Sequence, residues 1–111
     1  MNAVSPGADP AVDADGHLLD PQDWSREAAM QLAEREGLAL DDRHWEILMA
    51  ARDFYARFQR SPATRPLLKY LAQTLGPDKA TSIYVMQLFG GGTQARTIAR
   101  LAGLPKPPNC L

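Results

Sequence analysis

The sequence has one cysteine in 111 residues, Cys110, so no internal disulfide can form. That excludes the disulfide-stapled class of small secreted domains and favours a reducing compartment, with the thiol kept for its reactivity. Histidine is nearly as scarce. His17 and His44 are far apart, and neither stands at zinc-ligand spacing from the other or from Cys110. No metal and no cofactor is expected. No apolar run approaches the ~20 residues that span a bilayer. The opening MNAVSPGADP lacks the basic region and apolar run of a signal peptide, so the expectation is a cytoplasmic protein with no membrane partner. Acid is nearly absent from the second half. Residues 56–111 hold only Asp78 against eight Lys/Arg, a net of +7. Residues 1–55 hold twelve Asp/Glu against four Arg, a net of −8, and together the halves give the overall −1. A basic face around the chain's end would suit an acidic partner, RNA phosphate or an anionic sulfur species, unless folding interleaves the two halves.

Helical spacing dominates what is present. Residues 1–12 are poor in large apolar groups and are expected to be disordered. Asp15-Gly16 is a turn signal with short flanks, which predicts a marginal β-hairpin at 13–19. A first helix is predicted from Pro21 to Glu36, with Asp20 as its cap, Pro21 at its first position and Gly37 as its stop. A second, from Asp42 to Gln59 with Asp41 as cap, carries two apolar stripes. One is Trp45, Leu48, Met49 and Tyr55; the other is Ile47, Ala51, Phe54 and Phe58. Apolar groups on both sides make it the central helix, and their spacing assigns the aromatics to the core rather than to base stacking. Ser61-Pro62 breaks the chain. A third helix runs from Thr64 to Leu75 and a fourth from Asp78 to Phe89, with Ile83, Val85, Met86 and Phe89 as core candidates. Gly90-Gly91-Gly92 is a loop. A fifth helix, from Thr93 to Leu101, sets Ile98 and Leu101 against Arg96 and Arg100. The fold class is all-α: a small orthogonal bundle of about five helices with a marginal amino-terminal β-hairpin and an extended carboxy-terminal arm.

Three sites are weighed. Three glycines before Thr93 could offer backbone donors to an anion, but no Walker lysine is present and a plain loop is the simpler reading. Helices three to five are short and basic, which is compatible with a helix-turn-helix binding module and is unspecific. The third is the ending GLPKPPNCL. Pro105, Pro107 and Pro108 bar it from helix and predict an extended arm over 104–111, after a helical domain at 13–103. Eight residues reach at most about 26 Å. Cys110 near the tip suits group transfer into a partner's site. The neighbouring terminal carboxylate opposes its ionisation, so activation must come from cations: Lys106, Arg100, Arg96 or a partner's residue.

DADGHLLDPQDW at 13–24, EREGLALDDRHWEIL at 34–48, RDFYARFQRSPATRPLLKYL at 52–71 and AGLPKPPNCL at 102–111 resemble the TusE/DsrC family of sulfur-relay proteins, also known as the dissimilatory sulfite reductase gamma subunit. The resemblance implies a helical bundle with a small hairpin, and a penultimate cysteine, here Cys110, that carries persulfide sulfur. Two-cysteine members, which serve sulfite reductase, have a second cysteine where this chain has Ala99. The one-cysteine pattern resembles TusE. It implies a TusBCD-like donor complex and an MnmA-like thiouridylase as protein partners, with tRNA met through the acceptor enzyme, for 2-thiolation of the wobble uridine. The alternative it implies is a DsrC-like carrier or regulator in sulfur oxidation or sulfite reduction. The family's usual Gly-Phe-Leu in the hairpin is Gly16-His17-Leu18 here. The oligomeric state is open, and a monomer is the simplest reading.

Overall fold

The structure, a computed structural model, describes residues 11–91 and 94–108. Among these, five α-helices carry the fold: α1 Arg26–Arg35, α2 Asp42–Phe58, α3 Thr64–Thr74, α4 Ser82–Phe89 and α5 Gln94–Leu101. Thr93 as a cap, and residues 1–10 of the expected disordered stretch 1–12, lie outside the described residues; Val12, at the end of that stretch, pairs with Leu18.

The all-α expectation holds, but the hairpin shrinks to one antiparallel bridge, Val12 with Leu18. The reason is Asp13. Its carboxylate accepts the amides of Asp15 (2.9 Å) and His17 (3.0 Å), closing a local turn in place of further strand pairing. Gly16 supplies the positive φ of 88° that this turn needs.

The single first helix of the sequence reading is two pieces. Pro21–Asp23 forms a 3-10 turn capped by Asp20, Trp24 is extended, and α1 starts at Ser25, whose hydroxyl accepts the Ala28 amide at 3.0 Å. Ser25 is the better cap, and the break turns Trp24 towards the end of α5. Helix α2 is central, packing against α3, α4 and α5. Asp41 caps it as expected, and His44 completes a capping box by accepting the Asp41 amide on Nδ1 at 3.1 Å. Nε2 of His44 donates to the Leu88 carbonyl at 2.7 Å and ties the start of α2 to the end of α4. Ile47, Leu48, Ala51 and Phe54 are buried, whereas Met49 and Phe58 are exposed.

The fourth helix begins late. Pro77–Lys79 is a 3-10 turn, and Thr81 caps α4 by accepting the Tyr84 amide at 3.1 Å. Val85, Leu88 and Phe89 face the core, so the opposite side of the helix points outward: Ile83 is 62% and Met86 44% exposed, against the sequence reading. No described helix is long and apolar enough to cross a membrane.

The turn at Asp13 has a pH signature. Its carboxyl is held below the ordinary carboxylate range, first by the hydrogen bond from the His17 amide. A depressed carboxylate adds stability that is present above its unfolded value near ~3.9 and is lost as pH falls through the folded value. Protection of the His17 amide, its exchange rate relative to an unstructured peptide at the same pH, should therefore fall as pH drops below about 4, and Asp13→Ala should show the lower protection already at neutral pH. Equal rates in both proteins at pH 6 would contradict this role of the Asp13 carboxylate.

Candidate functional site

The segment that leads to the cysteine is fixed where α5 ends. A helix leaves its last carbonyls without intrahelical partners, and buried ones must find them. Here every carbonyl from Ala99 to Ala102 is taken. Gly103, at φ 72°, makes a Schellman turn in which its amide donates to the Arg100 carbonyl (3.2 Å) and the Leu104 amide to the Ala99 carbonyl (2.8 Å). Trp24 Nε1 donates to the Leu101 carbonyl at 2.8 Å, and Arg52 Nη1 to the Ala102 carbonyl at 2.7 Å. The Arg52 guanidinium also lies 4.3 Å over the Trp24 ring. It sets a positive charge at the negative end of α5, where a cation is favoured.

Two further side chains hold the residues beyond the helix. His17, 1% exposed, donates from Nδ1 to the Leu104 carbonyl at 3.0 Å, and the Ser61 hydroxyl donates to the Pro105 carbonyl at 2.5 Å. Leu104 and Pro107 are buried, and Pro105, Lys106 and Pro108 are exposed. The arm expected to extend from Leu104 is instead seated on the body through Pro108. Its proline content does exclude helix, but apolar burial and two carbonyl hydrogen bonds anchor it. Nε2 of His17 is buried with no partner among the described residues.

Cys110 lies outside the described residues. Two of the cations expected to support it face carboxylates. Arg100 makes a two-point ion pair with Glu36, Nε to Oε2 at 2.9 Å and Nη2 to Oε1 at 2.8 Å, and this pair raises its pKa. Lys106 Nζ lies 3.8 Å from Asp15 Oδ2. Arg96 is exposed on α5. Folding sets acids of the amino-terminal half against Arg100 and Lys106, while Arg96 makes no ion pair among the described residues. Helix α5 is largely buried among the other four, so it does not project as a recognition helix. Ala99, at the second-cysteine position of two-cysteine relatives, is buried in the core. Trp24, Arg52, His17 and Ser61 escaped the sequence reading. For Trp24 the available signal was Ser25, a cap residue one place after a large aromatic.

With this geometry in hand, comparison with known proteins is informative. A family model described as DsrC like protein matches residues 5–111. A protein of Haemophilus influenzae named Sulfurtransferase TusE homolog is 45% identical over 105 residues, covering 95% of each chain. The Sulfurtransferase TusE of Pectobacterium atrosepticum is 46% identical over 101 residues, covering 91% of this chain and 92% of that one. Among solved structures, DsrC of Allochromatium vinosum superposes with a TM-score of 0.80 at 38% identity, covering 90% of this chain and 88% of that one. The oxidized gamma-subunit of dissimilatory sulfite reductase (DsrC) from Archaeoglobus fulgidus gives 0.75 at 31%, covering 92% of each. The fold is that of a small helical protein whose chain beyond α5 packs against the bundle at Leu104 and Pro107. The chain belongs to the DsrC family.

Proposed function

We propose that this protein is a sulfur carrier, a sulfurtransferase of the TusE type acting in 2-thiolation of the tRNA wobble uridine, with Cys110 as the carrier atom. The observation that carries the choice within the family is Ala99. It is buried and has no thiol to bridge to Cys110, so the two-cysteine chemistry of sulfite reduction is closed to this chain. The relatives of comparable length named for TusE support the same reading.

The chemistry is two exchanges without net oxidation. The Cys110 thiolate attacks the terminal sulfur of a donor persulfide, the donor thiolate leaves, and Cys110 becomes Cys–S–SH. An acceptor thiolate then attacks that outer sulfur and the Cys110 thiolate leaves. The protein completes no turnover alone. A TusBCD-like complex is the donor and an MnmA-like thiouridylase the acceptor, with tRNA held by the latter. One residue, Asn109, stands between Pro108 and Cys110, and the two Cα steps reach at most about 7 Å. With Arg100 and Lys106 facing acids, activation of the thiol falls to Arg96 or, chiefly, to the partner's site.

The pathway is tested in a bacterial strain that lacks its own TusE and therefore 2-thiouridine in the wobble position. Expression of this chain should restore the modified nucleoside in hydrolysed tRNA, and Cys110→Ser should not. A folded, expressed wild type that restores nothing would contradict the tRNA assignment and turn attention to sulfur oxidation.

A further inference from the structure

Between Asp53 and Asp78 the sequence has no acid and four cations: Arg57, Arg60, Arg65 and Lys69. The fold gathers this run at the corner between α2 and α3. All four are exposed, and among the described residues no acid forms an ion pair with Arg60, Arg65 or Lys69. Arg57 differs. Its Nη1 donates to the Tyr70 hydroxyl at 3.3 Å, and that hydroxyl donates to Asp53, so its charge is partly balanced. Elsewhere Arg43, Lys79, Arg100 and Lys106 each face a carboxylate.

Phe58 sits in the same corner, 47% exposed, its ring tilted against Phe54 with 4.6 Å between centroids and the Arg57 guanidinium 5.9 Å from its ring. The turn that carries Arg60 is held in shape. Gln59 takes a left-handed conformation at φ 58°, and Ser61 and Pro62 are buried. Through the Ser61 hydroxyl the corner touches the Pro105 carbonyl, five residues before Cys110. Arg60, Arg65 and Lys69 therefore form a group of cations without ion pairs among the described residues, at a corner that touches the segment leading to the thiol; Arg96 on α5 is a further, separate one.

We propose that the α2–α3 corner is an RNA-binding surface: Arg60, Arg65 and Lys69 meet phosphates, and Phe58 meets a base or ribose, of the tRNA held in the acceptor's site. The proposal rests on the sulfur-carrier reading, since the delivery of sulfur is what brings RNA to this corner. Arginine forks bind phosphate oxygens in pairs, and an aromatic face among cations matches the alternation of phosphate and base along a strand. An acidic protein face is the competing occupant.

The test is fluorescence anisotropy of a labelled tRNA anticodon stem-loop with the full reduced chain, at about 50 and 200 mM salt, where phosphate contacts differ most in strength. Wild type should bind with a dissociation constant of about 10–100 μM at the lower salt, within the non-specific range. Arg60→Glu/Arg65→Glu should weaken binding about tenfold or more and reduce the slope of log K against log salt by about 1–2, because each phosphate contact contributes about 0.7–0.9. Arg96→Glu, on α5, should change affinity less than twofold. Arg60 and Arg65 are exposed and hold no packing contact, so the variant keeps the fold; Arg60→Gln/Arg65→Gln gives an intermediate value.

Absence of binding by wild type at low salt, or equal binding by the double variant, overturns the proposal. So does a double variant that is slow only in transfer to the acceptor enzyme and unchanged on RNA, which would assign the corner to an acidic protein face. Persulfide loading of Cys110 is read separately. Its failure in wild type would strike the carrier reading and leave the RNA measurement standing.

Discussion

Gly103→Val is expected to lower the melting temperature by more than about 12 °C, the consequence of a loss of about 3–5 kcal/mol in a domain of this size. Two independent costs meet at this position. The backbone stands at φ 72°, a region that a β-branched residue enters only with strain. A Cβ there would also lie 2.4 Å from Trp24 Cδ1 and 2.8 Å from Cβ and Cγ of the same side chain, so the indole must leave. With it go the hydrogen bond to the Leu101 carbonyl and the stack under Arg52, and two carbonyls at the end of α5 lose their donors. Gly103→Ala suffers both costs in milder form. Thermal melts of Gly103→Ala, Trp24→Ala and the double variant test the cause. The double should cost clearly less than the two singles together, because the clash is gone once the indole is. Strict additivity would contradict the close packing of Trp24 on Gly103.

Cys110→Ser is expected to remove every thiol-dependent property at once and to leave the melting temperature unchanged. The second part follows because, among the described residues, the hydrogen bonds that seat the segment lie between Gly103 and Pro105. The first follows because no other cysteine exists. Oxidised wild type can form only an intermolecular disulfide or a mixed one with a small thiol, since Ala99 offers no internal partner. Non-reducing gels should show a dimer that reductant removes and that Cys110→Ser never forms. A faster-running oxidised monomer would contradict the single-thiol account.

The helices were legible because caps and apolar periodicity are local. Asp41 before α2, and Gly37 and Gly103 after their helices, are each readable from neighbours in the chain. Ser25 was readable too, yet Asp20-Pro21 offered a competing start, and the extended Trp24 is explained only by the carbonyl of Leu101, 77 residues away. The same distance problem hid the site. His17, Ser61 and Arg52 look unremarkable in sequence, and their roles depend on carbonyls brought to them from residues 102–105. Charge was the least legible property. The sequence shows a basic half, but Glu36 meets Arg100 and Asp15 approaches Lys106 only after folding. Arg60, Arg65 and Lys69 carry no ion pair among the described residues, and nothing local in the sequence distinguishes them from the paired cations. Ile83 and Met86 were misread because an eight-residue helix rich in apolar groups does not declare which face is buried.

The central claim is that sulfur rides on Cys110, and intact mass spectrometry tests it most directly. The protein, reduced and desalted, is incubated with a cysteine desulfurase and cysteine, with and without a TusBCD-like donor complex. Wild type should gain the mass of one sulfur atom and lose it again on treatment with reductant, since a persulfide is a reversible cap. Cys110→Ser should gain nothing. A gain that persists in Cys110→Ser, or a wild type that never gains sulfur while the donor complex is itself loaded, would contradict the carrier account.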